Sequence, residues 1–370
     1  MEVGRPVFLC GALAYPAVLR LILGPSVPGA AAHLAGHRAI YPKADAVPLI
    51  VASDSPLPGH LIGEPEADCA RRLEAVATVL GLEWRNVTLA GGAGQARAAA
   101  RWQDGGGPQD AGLAQWEAVW APMLVEVCVV VLRLLPSTTP AVLARRLPQM
   151  LLAAAGRLRA AGAPSPAAVR RAPGEVQIAA LDLPYAGFFG VEEYRLLYAR
   201  FNGGLSAEVL RSVFTSGDAV TVLPYDLARD RVLLIEQFRM GPLSRGDRNP
   251  WQLEAVAGRI DPGETPEEAG RREAVEEAGL AVGALLPVAE YYPTTGAVSE
   301  YLYSYVGLCD LPDGTAGVFG LEVEAEDIRG HLLPFDALMD LVTAGEVTNA
   351  ALLISALWLQ RERPRLRAAR

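Results

Sequence analysis

Glu273, Glu276 and Glu277 are three and four residues apart within residues 258–280, and glutamates so spaced fall on one face of a helix. Like charges in that arrangement cost about 0.2–0.5 kcal/mol per pair unless something positive sits between them. A hard divalent cation such as Mg²⁺ takes oxygen ligands and keeps water or substrate phosphate in its shell, so this is the donor type it requires. A solvated acidic face balanced by Arg271 and Arg272 is the plain alternative, and for an arbitrary Glu-rich helix it is the commoner outcome.

The neighbouring residues describe the element that must hold these carboxylates. Thr265 suits an N-cap, Pro266 the first helical position, and Glu268 completes a capping box. Gly279 supplies the C-terminal stop. Residues 258–264 read as a loop leading into that helix, with Arg272 bracing helix to loop through Glu264. The run satisfies the pattern G-x5-E-x7-R-E-U-x-E-E-x-G-U, where U is aliphatic. Seven fixed identities at roughly one in ten each make a chance match rarer than about one in ten thousand.

This pattern resembles the signature of the Nudix hydrolases. The resemblance implies an α/β/α sandwich with a mixed sheet that cleaves nucleoside diphosphates linked to another moiety, using Mg²⁺, or alternatively Mn²⁺, held by the helix glutamates. Similarity extends over about residues 180–362 and is to the ADP-ribose pyrophosphatase branch, tellurite-resistance-associated type. It is carried by Gly187-Phe188-Phe189, Phe201-Asn-Gly-Gly-Leu-Ser206, Glu236-Gln-Phe-Arg239, Trp251-Gln-Leu-Glu254, Ala257-Gly258, Pro293-Thr-Thr-Gly296 with Glu300, and residues 322–327.

By this resemblance the metal ligands are the backbone carbonyl of Ala257 and the side chains of Glu273 and Glu277, with Glu326 also serving the metals. Glu324 orients and deprotonates the attacking water, and Glu276 positions a ligand or a water. Arg211 and Arg239 are implied contacts of the substrate's phosphates; Thr294, Thr295, Gly296 and Glu300 complete the implied substrate site. Phe188 and Phe189 match residues that reach the adenine in a partner subunit's site, which implies a domain-exchanged homodimer. The family can carry an arginine where this chain has Ser216. Taken alone, residues 322–327 also fit a solvated acidic turn, and Phe188-Phe189 ordinary core or interface packing.

The implied reaction is Mg²⁺-dependent hydrolysis of the pyrophosphate bond of ADP-ribose to AMP and ribose 5-phosphate. Another nucleoside diphosphate sugar is the alternative substrate. Divalent cations on a pyrophosphate neutralise the charge that repels a nucleophile and acidify water, and a carboxylate within reach then takes the proton.

The rest of the chain sets the frame. Its 370 residues suit two domains, and a hydrophobic share of 51% with mean hydropathy +0.21 excludes a largely disordered chain. The net charge of −9 and pI near 5.1 disfavour a nucleic-acid partner. Residues 1–175 carry a net +3 and residues 176–370 a net −12. Residues 258–280 and 322–327 contribute −4 each, two thirds of the second half's excess. The most apolar stretch, residues 124–135, is shorter than the ~20 residues of a membrane span and carries Glu126 and Arg133, so a buried helix is expected and no membrane partner. The first residues lack the basic start and small-residue cleavage site of a signal peptide. Cys10, Cys69, Cys128 and Cys309 show neither C-x-x-C pairing nor zinc-ligand spacing, which fits a reduced, cytoplasmic chain.

Composition shifts at Ala160-Ala-Gly-Ala-Pro-Ser-Pro-Ala, placing a boundary near 165–175 and domains at 1–165 and 176–370. In the first part, strands are expected at residues 6–10 and 84–89 and helices from Pro16, over 67–80 and near 140–162. Residues 90–112, rich in Gly, Ala and Gln, are expected to form a loop or insertion. In the second part, residues 219–225 and 232–238 read as a hairpin, residues 301–309 as a strand and 350–360 as a helix. Val7-Phe-Leu-Cys-Gly-Ala-Leu13 with Pro16–Arg20, Leu34-Ala-Gly-His-Arg38, Tyr41-Pro42 and Pro58-Gly59 resembles the γ-glutamylcyclotransferase-like fold, which implies a smaller α+β barrel domain ahead of the sandwich. In that family a glycine loop binds the substrate's amino-acid end and a glutamate moves the proton. Here the loop carries Cys10 and Ala12, and the expected acid is Ala77, so a non-catalytic module is expected. His33, His37 and His60 are scattered and suit core or surface roles.

Overall fold

The computed structural model describes residues 5–24, 29–92, 94–105, 107–163, 174–321 and 326–368. The chain packs as two compact units, Met1–Thr215 and Ser216–Arg370.

In the first unit the strands are β1 (Val7–Leu9), β2 (Gly29–Leu34), β3 (His37–Ile40), β4 (Leu49–Ala52), β5 (Leu57–Ile62), β6 (Glu83–Thr88) and β7 (Gln95–Gln103). They form one sheet of order β2-β5-β1-β7-β4-β3, with β6 on β7. Alternation along β1 feeds two cores: Val7 and Leu9 pack into a cluster with Leu73, Trp116 and Val127, while Phe8 and Cys10 pack with Ile50 and Ala98. The helices are α1 (Pro16–Leu23), α2 (Ala67–Val79), α3 (Leu113–Leu134), α4 (Pro140–Ala144) and α5 (Leu147–Gly162). The apolar stretch expected to be a buried helix is the second half of α3, where Leu124, Val127, Cys128 and Val131 are buried. Among the described residues no helix is long and apolar enough to cross a membrane.

Residues 90–112 are not a loop throughout. Residues 95–103 form β7, which pairs with β1, β4 and β6. Alanine has little preference for strands, and flanking glycines mimic a loop; pairing on both edges overrides that local weakness. Small side chains suit the position, because Ala96, Ala98, Ala99 and Ala100 are all buried there.

The packing groups a further three-stranded sheet with the first unit: β8 (Val176–Ala186), β9 (Gly190–Tyr198) and β10 (Val209–Thr215), in the order β10-β9-β8. Leu181 is buried in the helical core, whereas Val176, Ile178, Tyr198 and Leu210 are exposed. Much of the stretch 165–175 lies outside the described residues.

A cavity of about 480 Å³ in the first unit is lined by Gly11, Tyr15, Arg38, Tyr41, His60 and Trp116, among others. Ala77 is buried in the α2 core.

The second unit is built on β11 (Ala219–Asp226), β12 (Arg231–Phe238), β13 (Trp251–Glu254), β14 (Val256–Arg259), β15 (Leu285–Tyr291), β16 (Leu302–Leu308), β17 (Val318–Phe319) and β18 (Ile328–Pro334). The sheet order is β15-β16-β11-β12-β18-β17, with β13 on β12 and β14 on β11. Only β11 and β16 run parallel among these pairs, so the sheet is mixed. Its helices are α6 (Met240–Arg245), α7 (Pro266–Ala278), α8 (Phe335–Ala344) and α9 (Ala350–Ala368). Val220, Val222 and Ile235 pack with Ala269 and Ala274 of α7; Leu223, Tyr225 and Leu234 pack with Phe335 of α8 and Leu352 of α9. The sheet is thus covered by helices on both faces.

The β11–β12 turn forms as its residues suggest. The Asp226 carboxylate accepts the backbone N–H groups of Ala228 and Arg229, at 2.8 and 2.9 Å, and Asp230 adopts φ 55°.

Candidate active site

Helix α7 is bounded by the caps its residues announce. Thr265 Oγ1 accepts the Glu268 N–H at 3.2 Å, and Glu268 Oε2 accepts the Thr265 N–H at 2.9 Å. Gly279 ends the helix in the left-handed region at φ 63°, which a β-carbon would strain. These caps fix where the helix starts, and so where each glutamate points.

Glu277 is buried at 2% exposure. Its Oε2 accepts the Ala257 N–H at 2.8 Å, and Oε1 lies 3.4 Å from Gln237 Nε2. Glu273 lies against Gly258, where any β-carbon would overlap its carboxylate. A side chain at position 258 would thus displace the Glu273 carboxylate from its place. Ala257, Glu273 and Glu277 are brought together in this way.

The two carboxylates hold their protons unusually well. Burial pushes Glu277 up to about 8, and the negative charges of Glu273 and Glu326 add to the effect against the Ala257 N–H and Arg239. Burial likewise raises Glu273 to about 7; Arg272 opposes the rise, while Glu276 and Glu326 add to it. Glu326 therefore shares the electrostatic neighbourhood of both. Its Oε2 also accepts the Leu321 N–H, at 3.4 Å. Among the described residues, no three acidic, imidazole or thiol side chains close on one point as a ligand set. The donor set nonetheless fits a hard cation: all-oxygen, buried or half-buried, and mutually repelling.

Arg272 organises the loop side. Its guanidinium meets Glu264 through Nε at 3.0 Å and Nη2 at 2.9 Å, and reaches Glu273, Glu276 and the Arg259 carbonyl at 2.7, 3.0 and 2.9 Å. The hydrogen bond to Glu264 is the largest cause holding Arg272 above its usual range, and burial opposes it. Glu276 thus lies beside Arg272 and makes no contact with the Ala257 N–H that holds Glu277.

Arg239 is clamped on Glu254, with Nη2 at 2.7 Å from Oε2 and Nε within 3.2 Å of both oxygens. Burial works against the Arg239 charge, and Glu254 outweighs it, so the guanidinium is held above its usual range. Thr294, Thr295 and Gly296 lie on an exposed loop. Glu300 is half-buried, and burial raises its carboxyl, with Arg259 opposing.

Phe188, Phe189 and Arg211 belong to the first unit. Phe188 is 65% exposed at the β8–β9 turn, and Phe189 packs on Phe214 with ring centroids 4.6 Å apart. Arg146 braces this turn by donating to the Gly187 and Phe189 carbonyls at 2.5 and 2.6 Å. Arg211 is exposed on β10 and donates to the Leu210 carbonyl. Glu324 lies outside the described residues.

Three buried or half-buried residues escaped sequence reasoning as parts of the site: Gln237, Glu254 and Asn349. Gln237 and Glu254 sit on paired strands β12 and β13. Their signal was polarity at positions that the strands turn inward. Asn349 Nδ2 donates to Glu254 Oε1 at 3.1 Å.

Residues 215–353 match the NUDIX domain family. The chain is 41% identical over 186 residues to the ADP-ribose pyrophosphatase of Escherichia coli strain K12, covering 50% of this chain and 88% of that protein. To the ADP-ribose pyrophosphatase of Haemophilus influenzae it is 32% identical over 188 residues, 50% of this chain and 86% of that one. The GDP-mannose pyrophosphatase of Enterobacter sp. strain 638 is 33% identical over 150 residues, 40% of this chain and 77% of that protein.

Proposed function

The chain belongs to the Nudix family, and from that premise we propose that its second unit hydrolyses the pyrophosphate bond of ADP-ribose, giving AMP and ribose 5-phosphate. The observation that carries the reading is buried Glu277 and half-buried Glu273, laid against Ala257-Gly258. Identity to ADP-ribose pyrophosphatases over half the chain supports the substrate.

Glu273, Glu277, Glu326 and the Ala257 carbonyl would hold Mg²⁺ or Mn²⁺. A cation there supplies charge neutralisation on the diphosphate and acidifies water. The Ala257 N–H and Gln237 fix the orientation of Glu277, and Arg272 fixes the loop and Glu273. Arg239 grips a phosphate oxygen, and the family resemblance makes Arg211 a further contact of the substrate's phosphates. Thr294, Thr295, Gly296 and Glu300 border the substrate. Glu324 takes the proton from the attacking water, whose oxygen bonds to phosphorus as the bridging P–O bond breaks.

The test is AMP release from ADP-ribose by the full chain with and without Mg²⁺. Turnover should need the metal. Glu277→Gln keeps an oxygen for the Ala257 N–H but loses the charge, and several kcal/mol of barrier corresponds to a fall on the order of a thousand-fold in kcat. Retained turnover in a folded Glu277→Gln protein would overturn the assignment.

A second substrate reading is another nucleoside diphosphate sugar, favoured by the GDP-mannose pyrophosphatase relative. A substrate panel that includes GDP-mannose decides between them by kcat/KM. Further to this, the exposed Val176, Ile178, Tyr198 and Leu210 on the β8–β10 sheet support a homodimer, with Phe188 and Phe189 serving the partner's site. Free cysteines fit a cytoplasmic enzyme. For the first unit, a γ-glutamylcyclotransferase-like barrel acting as a binding module is supported by the cavity at Gly11 and Tyr15, and buried Ala77 supplies no acid. Formation of 5-oxoproline by the full chain would overturn the non-catalytic part of that reading.

A further inference from the structure

Asn349 immediately precedes α9 and uses both ends of its amide. Its Oδ1 accepts the Leu352 N–H at 2.9 Å, capping the helix, and its Nδ2 donates to Glu254 Oε1 at 3.1 Å. A flipped amide would set an N–H against an N–H and an oxygen against a carboxylate, so the orientation is determined by its partners. Next to it, Thr348 Oγ1 donates to Gln252 Oε1 at 2.5 Å. The start of α9 is thus stitched to β13 at two alternate residues, Gln252 and Glu254.

Glu254 is 5% exposed and is where these ties converge. It receives Arg239 in a two-pronged clamp, Asn349 from α9, and the Gln237 amide at 3.5 Å. Gln237 in turn bridges to Glu277 at 3.4 Å. A buried carboxylate with several acceptor sites has a definite aim only when each is occupied, because an empty site lets the group rotate toward its remaining donors.

We propose that Asn349 is a positioning residue: its amide locks Glu254, and Glu254 aims the Arg239 guanidinium at the pyrophosphate held beside Glu273 and Glu277. The kinetic side of this rests on the hydrolase reading above. The hydrogen-bond chain itself does not.

Two readouts keep the two apart. Asn349→Ser retains a good cap but is too short to reach Glu254, so the melting temperature should stay close to wild type. Its kcat/KM for ADP-ribose with Mg²⁺ should fall on the order of 10–100-fold, the usual cost of losing a partner that orients a ligand-binding group. In arginine-labelled full-length protein, the Arg239 Nε–Hε resonance, identified by its loss in Arg239→Lys, should be protected from exchange in wild type and exposed in Asn349→Ser. Wild-type kcat/KM in Asn349→Ser, or an unmoved Arg239 resonance, would overturn the proposal. If Asn349→Ser does not fold, Asn349→Asp is read the same way: it caps equally well and sets a carboxylate against Glu254. Absence of ADP-ribose hydrolysis in wild type would sink the substrate reading, while the Arg239 resonance still decides the positioning role.

Discussion

Helices α2 and α7 are each 13 residues long, one in each unit, and each carries acidic and arginine side chains along its length. They bury different things. In α2 the inward row is Leu73, Ala75, Val76, Ala77 and Val79. Asp68 meets Arg71 at 2.8 Å and also pairs with Arg72, on an exposed surface where such pairs contribute little. In α7 the inward row is Ala269, Gly270, Ala274, Glu277 and Ala278, so one carboxylate stands where α2 has only apolar groups. Arginine also differs in its task. Arg72 closes a surface pair, whereas Arg272 holds Glu264, Glu273, Glu276 and the Arg259 carbonyl together. The lesson is that acidic content does not make a reactive helix; an acid in the buried row, with its partners supplied by other elements, does.

The sharpest way to break this contrast is to put the acid into α2. Ala77→Glu places a carboxylate in a row where Leu73, Val76 and Leu80 offer no donor, and an uncompensated buried charge costs about 3–5 kcal/mol. Urea unfolding of the first unit should register that loss, and an unchanged midpoint would show that the α2 row has room and partners for an acid.

Two buried acids of the second unit, Asp226 and Glu277, also contrast with each other. Asp226 accepts the N–H groups of Ala228, Arg229 and Leu311 and an ion pair from Arg229, and although burial opposes its charge these bonds hold it down at about 2, from 3.8. Its folded value lies below the unfolded one, so its contribution is complete above the unfolded value and disappears as pH falls toward about 2. That contribution is about 2 kcal/mol. Asp226→Asn should lower stability at neutral pH by this amount and flatten the acid limb of the stability curve. An acid limb identical to wild type would contradict it. Glu277 is the reverse case, raised to about 8, and the difference is that its donors are fewer and its neighbours are acids.

The smallest effect separates the helix starts. Thr265→Ala removes the reciprocal capping bonds of α7 and should cost about 1 kcal/mol. Glu66 at the α2 start makes no side-chain cap bond, so Glu66→Ala should stay within about 0.5 kcal/mol. Equal losses from the two substitutions in thermal unfolding would erase the distinction.

Much of α7 was legible because everything that specifies it is local. The capping box, the glycine stop and the three- and four-residue spacing of the glutamates all act within one or two turns. The β11–β12 hairpin was legible for the same reason, through Asp226 and the turn that follows it. Strand β7 was not, because its alanines carry almost no strand preference of their own and acquire one only between β1, β4 and β6. The length of α9 was also underestimated: it runs on through Pro364 to Ala368.

By itself the sequence determined the helix, its ends and the face on which Glu273 and Glu277 would emerge, since helical period and capping chemistry are short-range. Only the tertiary structure decided what that face meets. Strand register brought Gln237 and Glu254 into the same buried layer, the start of α9 delivered Asn349 from 95 residues away, and the Glu273 carboxylate came to occupy the space that a β-carbon at Gly258 would take. Burial, not residue type, then raised two ordinary glutamates to about 7 and about 8, because a carboxylate's charge depends on the water and dipoles around it.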